Sequence, residues 1–127
     1  MHEQSSRSHA VVCVLLRDGR GTERGRLQFC DLAGSEKAQD AQGLSAKVRH
    51  EGAEINKSLL ALKECLRAAN GETTERVPWR NSQLTQILRD SFSSGEACMV
   101  SAVAPSNCSC AESLNTMHYA SRCARVD

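Results

Sequence analysis

The stretch RLQFCDLAGSE, residues 26–36, decides how the chain is read. Its first part, RLQFCDL at 26–32, has the composition of a β-strand, and it runs directly into Asp31, Gly34 and Glu36. A polar turn at the carboxyl end of a strand is where open α/β sheets hold their ligands. Asp31 and Gly34 stand in D-x-x-G relation, the arrangement of nucleoside triphosphatases. An aspartate there can hold magnesium through water, and glycine lets a backbone N–H approach a terminal phosphate with no Cβ in the way. Any strand followed by an Asp turn yields the same spacing, so the rest of the chain must supply the complement.

Upstream, HAVVCVLLR at 9–17 is nearly all apolar and rich in β-branched residues, which predicts a strand buried on both faces. DGRGTERG between the two strands is turn chemistry and predicts a hairpin. Ahead of the first strand stands SSRSH, residues 5–9. Its small hydroxyls can coordinate magnesium or orient water, and its guanidinium can pair with a carboxylate across a site. Glu36 is the natural partner for Arg7.

Downstream, residues 33–49 are small, polar and aperiodic and predict a long loop, a feature that compact domains keep for function or movement. Ile55, Leu59, Leu62 and Leu66 recur at helical spacing among strong helix formers, with Asn70-Gly71 as the stop signal. After the loop GETTERVPWRN, Leu84, Ile87, Leu88 and Phe92 mark a second amphipathic helix. Leu59, Leu62, Leu66, Ile87 and Leu88 are the expected core, and Trp79 is core or rim. CMVSAVA at 98–104 predicts a short strand ended by Pro105, and Ser109 with Glu112 predicts a capping box opening a last helix over 110–125. This order predicts a layered α/β domain with a thin, three-stranded sheet.

A chain of 127 residues, 40% hydrophobic, with two prolines, has room for one compact domain and its core. Sixteen basic residues against fifteen acidic give a net charge of +1, so no global field draws in nucleic acid or an anionic membrane. No apolar run reaches the ~18–20 residues of a membrane span, and no signal-peptide pattern opens the sequence; a soluble intracellular protein is expected. The seven cysteines are odd in number and scattered through apolar segments, which predicts reduced core thiols, and Cys108-x-Cys110 lacks a second pair at zinc-ligand spacing.

SSRSH, DLAGSE, EINKSLLAL at 54–62 and VPWRNSQLTQILRDSF at 77–92 occur in the order and approximate spacing of the kinesin motor domain, which the chain resembles over nearly its whole length. SLNTMHYASR at 113–122 is similar to the last helix of that motor, and EGAEINKSLLALKECLRA at 51–68 is most similar to the internal-motor subfamily that depolymerises microtubule ends. The resemblance implies the carboxyl-terminal part of a P-loop NTPase fold, from switch I onward, with helices layered on an incomplete central sheet. It implies ATP and Mg2+ as cofactors, microtubules as partner, and a place on the cytoskeleton in the cytoplasm.

By the same resemblance SSRSH is switch I and DLAGSE is switch II, the loops that respond to the γ-phosphate. Ser6 then contacts magnesium and phosphate, Ser5 helps position the attacking water, Asp31 holds magnesium through water, and Gly34 donates its N–H to the γ-phosphate. Arg7 and Glu36 form the ion pair that closes the site, while His9 and Asn56 support the switch loops. Residues 37–92 become the track-binding region, with Lys57, Lys63, Arg67, Arg80 and Arg89 facing acidic tubulin.

The chain departs from the family pattern in three places. His2 stands where an asparagine is usual, Gln83 where a lysine is usual, and no G-x-x-x-x-G-K-[ST] phosphate loop occurs among the eight glycines. The expectation from this is a motor fragment without ATPase activity of its own. A second reading is a non-enzymatic tubulin-binding module that keeps the track-facing loops. A GTP-binding switch would need N-K-x-D, and NKSL at 56–59 has Leu59 in place of the aspartate.

Overall fold

The computed structural model of the chain describes residues 8–34, 46–73 and 76–124, apart from the side chains of Lys47 and Val48. The described chain forms two compact units that divide at Ile55/Asn56.

The first unit holds an antiparallel hairpin of β1 (Ala10–Arg17) and β2 (Glu23–Asp31). Its turn is built by Asp18, whose Oδ1 accepts the N–H groups of Arg20 and Thr22, each at 2.9 Å. Gly21 occupies φ +80°, a left-handed conformation that glycine adopts without strain. Past the turn the ladder skips one residue, because Leu16 faces Gly25 while Arg17 faces Glu23, so Arg24 bulges. From there the pairing continues without interruption to Ala10 opposite Asp31.

The expectation that β1 is buried on both faces is not met. Val12, Val14 and Leu16 share one face with Leu27 and Phe29, and all five are exposed. Burial on both faces needs a layer on each side of a sheet, and a two-stranded ribbon provides none of its own.

Helix α1 (Ala46–Ala69) starts inside the predicted long loop and runs 24 residues. Leu59, Ala61, Leu62, Cys65 and Leu66 form its buried stripe, at the spacing of one helical face. Its end is a Schellman motif. Glu72 N–H donates to the Arg67 carbonyl and Gly71 N–H to the Ala68 carbonyl, with Gly71 at φ +70°. The predicted Asn70-Gly71 stop is thus realised through backbone hydrogen bonds.

A 3-10 turn at Trp79–Asn81 leads into α2 (Gln83–Ser93). Ser82 and Thr85 close a reciprocal capping box there, and the Thr85 hydroxyl also donates to the Trp79 carbonyl at 2.8 Å. Leu84, Thr85 and Leu88 are buried, whereas Ile87, expected in the core, is 47% exposed because it lies about 60° round the helix from Leu84, on the side away from Thr85 and Leu88. Trp79 is half-buried and stacks on Phe92 at 6.3 Å between ring centroids.

Residues 98–104 form no strand. A strand requires a partner ladder, and no strand beyond β1 and β2 is present among the described residues. Helix α3 (Cys110–Cys123) follows and is capped at Ala124; residue 125, the last of the expected helix, lies outside the described residues. The capping box expected from Ser109 and Glu112 is absent. Ser106 caps instead, accepting from Cys108 N–H and starting a 3-10 turn over Asn107–Ser109 that runs into the helix.

The thiols are all free, but they are not all core: Cys65 and Cys123 are buried and Cys30 half-buried, while Cys13, Cys98, Cys108 and Cys110 are exposed. No helix among the described residues is long and apolar enough to cross a membrane.

Candidate nucleotide switch and track surface

The hairpin register sets the geometry of the candidate site. With Ala10 opposite Asp31 as the last pair, residues 8–9 and 32–34 leave the sheet side by side at one end. The described residues of the two segments singled out in the sequence therefore meet here, His9 and Ala33 lying 24 residues apart. The contact between them is specific: the Ala33 N–H donates to His9 Nδ1 at 3.1 Å. Ala33 is 4% exposed, so its amide needs an acceptor within the protein, and the imidazole provides one. Burial holds the His9 imidazole below its usual pKa, which keeps it neutral and able to accept.

Asp31 ends β2 with its side chain exposed, and Gly34 stands three residues on, half-buried. The pair places a hard carboxylate and a backbone N–H within three residues at the same end of the hairpin. That donor chemistry suits magnesium and phosphate, whereas zinc and copper favour thiolate and imidazole. Among the described residues, no cluster of three His, Cys, Asp or Glu could hold a metal by itself. Ser5, Ser6, Arg7 and Glu36 lie outside the described residues, as does His2.

Asn56 is half-buried on α1, in the second unit. The candidate track residues divide by their contacts. Lys57, Arg80 and Arg89 are exposed and form no ion pair with another described residue. Arg67 is engaged by Glu64 at 3.3 Å and Glu72 at 3.6 Å, and the Lys63 ammonium sits 6.0 Å from the centre of the Tyr119 ring. Gln83, where the family pattern has lysine, opens α2 as an exposed residue.

Sequence reasoning missed a polar seam in the second unit. The Tyr119 hydroxyl donates to the Leu59 carbonyl at 2.6 Å, Asn70 Nδ2 donates to the Arg122 carbonyl at 2.9 Å, and Glu72 lies between Arg67 and Arg122. Asn70 carried a signal only as a helix stop. Nothing in the periodicity pointed to its reach across 52 residues.

Comparison with known proteins settles the family. The profile of the kinesin motor domain matches residues 1–126. The chain belongs to the kinesin family. It is 47% identical over 123 residues to the human kinesin-like protein KIF24 and 46% identical over the same length to the mouse protein. Each alignment takes in 96% of this chain and 9% of the relative.

Among solved kinesins, the motor domain of the kinesin-like protein Kar3 from Saccharomyces cerevisiae superposes with a TM-score of 0.74 at 33% identity, over 96% of this chain and 38% of that one. Mutants of a kinesin motor ATPase give 0.76 at 34% identity, over 95% of this chain and 39% of that one. KIF14 bound to ADP and a microtubule gives 0.70 at 29%, over 92% and 36%. The mixed α/β fold is that of a kinesin motor, of which this chain spans well under half.

Proposed function

We propose that the chain is the γ-phosphate-sensing and track-facing part of an ATP-hydrolysing, microtubule-based motor. The observation that carries this reading is the meeting of the two switch segments at one end of the hairpin, tied by the hydrogen bond from Ala33 to His9. Asp31 would hold hydrated magnesium, Gly34 N–H would meet the γ-phosphate, and Ser5 and Ser6 would orient water and complete the metal's oxygen shell. Arg7 and Glu36 would close the site over the nucleotide. Magnesium neutralises charge that develops on the transferring phosphoryl group, and the residues named here position it and the attacking water.

Microtubule binding is supported by the exposed cations Lys57, Arg80 and Arg89, which form no ion pair with another described residue and complement an acidic track. Within the family, the segment 51–68 favours depolymerisation of microtubule ends over transport. A cytoskeletal location follows from this partner.

Two measurements test the reading. The 127-residue chain should pellet with stabilised microtubules at low salt and release as salt rises; pelleting equal to that without microtubules overturns the track assignment. In a motor polypeptide that joins these residues to a phosphate-binding loop, Gly34→Ala should abolish ATP turnover, and undiminished turnover overturns the assignment of Gly34.

A further inference from the structure

The ladder of the hairpin ends with the pair of Ala10 and Asp31, one residue past SSRSH and at the first residue of DLAGSE. Continued by two residues, the pairing would set Ser8 opposite Ala33, backbone against backbone, and weld the segments into one ribbon. Instead the Ala33 N–H goes to a side chain, His9 Nδ1, at 3.1 Å. A side-chain acceptor holds the amide through two rotatable bonds, so His9 and Ala33 stay joined although neither residue belongs to the sheet ladder. Ala33 is buried, and its peptide group with the next residue carries the N–H of Gly34.

We propose that His9 is a positioning residue that couples the two switch segments, its Nδ1 holding Ala33 and thereby the N–H of Gly34 in place. The role rests on the phosphate-sensing reading above, but the coupling itself belongs to the chain without nucleotide. Acceptance at Nδ1 puts the imidazole proton on Nε2. It also makes the two ring nitrogens separable by substitution. Asparagine carries its amide oxygen near the place of Nδ1, and glutamine, one methylene longer, near that of Nε2.

The experiment compares amide hydrogen exchange in the unaltered chain, His9→Asn and His9→Gln, without nucleotide. His9→Gln should speed exchange of the Ala33 and Gly34 amides by about tenfold, the scale of one lost hydrogen bond. His9→Asn should hold both within about threefold of the original, and the amides of Val12, Val14 and Leu27 should stay within about twofold in all three proteins. A tautomer with the proton on Nδ1, protection of Ala33 that survives His9→Gln, failure of His9→Asn to rescue, or equal acceleration along the whole hairpin each overturns the proposal. Since no nucleotide enters, failure of this coupling is distinct from failure of the ATP reading. That second failure would show instead as undiminished turnover in Gly34→Ala.

Discussion

Tyr119 Oη donates to the main-chain carbonyl of Leu59 at 2.6 Å, so the single tyrosine of the chain joins α3 to the middle of α1. Leu59 is buried, the Tyr119 ring is half-buried, and burial raises its phenol pKa. Tyr119→Phe keeps the ring and removes the donor. It should lower stability by about 1 kcal/mol, the net value of such a bond. Asn70→Ala, which strips the donor from the Arg122 carbonyl at the end of α3, should cost a similar amount. Chemical denaturation of the two variants and of the double variant checks both. Separate bonds predict losses that add within about 0.5 kcal/mol.

Thr85 carries a heavier load than its place at a helix start suggests. It is fully buried, it takes part in the capping box with Ser82, and it donates to the Trp79 carbonyl. Its hydroxyl also lies against the thiol of Cys65 on α1. Thr85→Val keeps the shape and leaves the Trp79 carbonyl and the Ser82 N–H without this partner. A loss of about 2–3 kcal/mol is expected, against about 1 kcal/mol for Ser82→Ala. Equal melting temperatures for the two variants would contradict the assignment.

The pH dependence of stability should carry the mark of His9. Its pKa is lowered from 6.5 in the folded chain, so the unfolded state binds a proton first as the solution is acidified. Stability is therefore complete above the unfolded value and falls as pH drops from about 6.5 toward the lower folded value. His9→Asn should remove that part of the pH dependence. Denaturation midpoints measured between about pH 7.5 and 5.5 test this, and an unchanged slope in the variant counts against it.

The thiols should separate by reactivity. Burial raises Cys65 to about 11 and also raises Cys30 and Cys123, so their thiolate fractions at neutral pH are small. Cys13, Cys98, Cys108 and Cys110 are exposed. A chromogenic disulfide reagent should titrate those four quickly in the native chain and all seven after denaturation. Labelling of Cys65 as fast as Cys110 would show that the core of the helical unit opens readily.

The parts of the fold that local pattern governs were legible in the sequence. Leu59, Leu62 and Leu66 at helical spacing gave the core stripe of α1, Asn70-Gly71 gave its stop, and DGRG gave the hairpin turn. Residues 98–104 misled because an apolar run states only that a segment suits burial. Whether it pairs depends on neighbours that periodicity cannot supply. Ser109 misled in a similar way: it ends a 3-10 turn that Ser106 caps, and it precedes α3 with no side-chain cap bond of its own. At the candidate site the motifs named the residues, but the His9–Ala33 bond depends on register, which the sequence around the turn does not announce.

The charges on the helical unit make the last test the most discriminating. Arg67 is held by Glu64 and Glu72, whereas Lys57 and Arg80 are exposed and form no ion pair with another described residue. Partly exposed ion pairs contribute little to stability, so Arg67→Gln should fold normally and leave microtubule affinity within about twofold. Lys57→Glu and Arg80→Glu each place like charge against an acidic track. Each should weaken binding by roughly three- to tenfold at low salt, with the difference shrinking as salt screens the surface. Gln83→Lys, which restores the cation usual in the family, should act in the opposite direction. Co-sedimentation across a salt series measures all four, and an Arg67→Gln effect larger than that of Arg80→Glu would move the track surface to the α1–α3 seam.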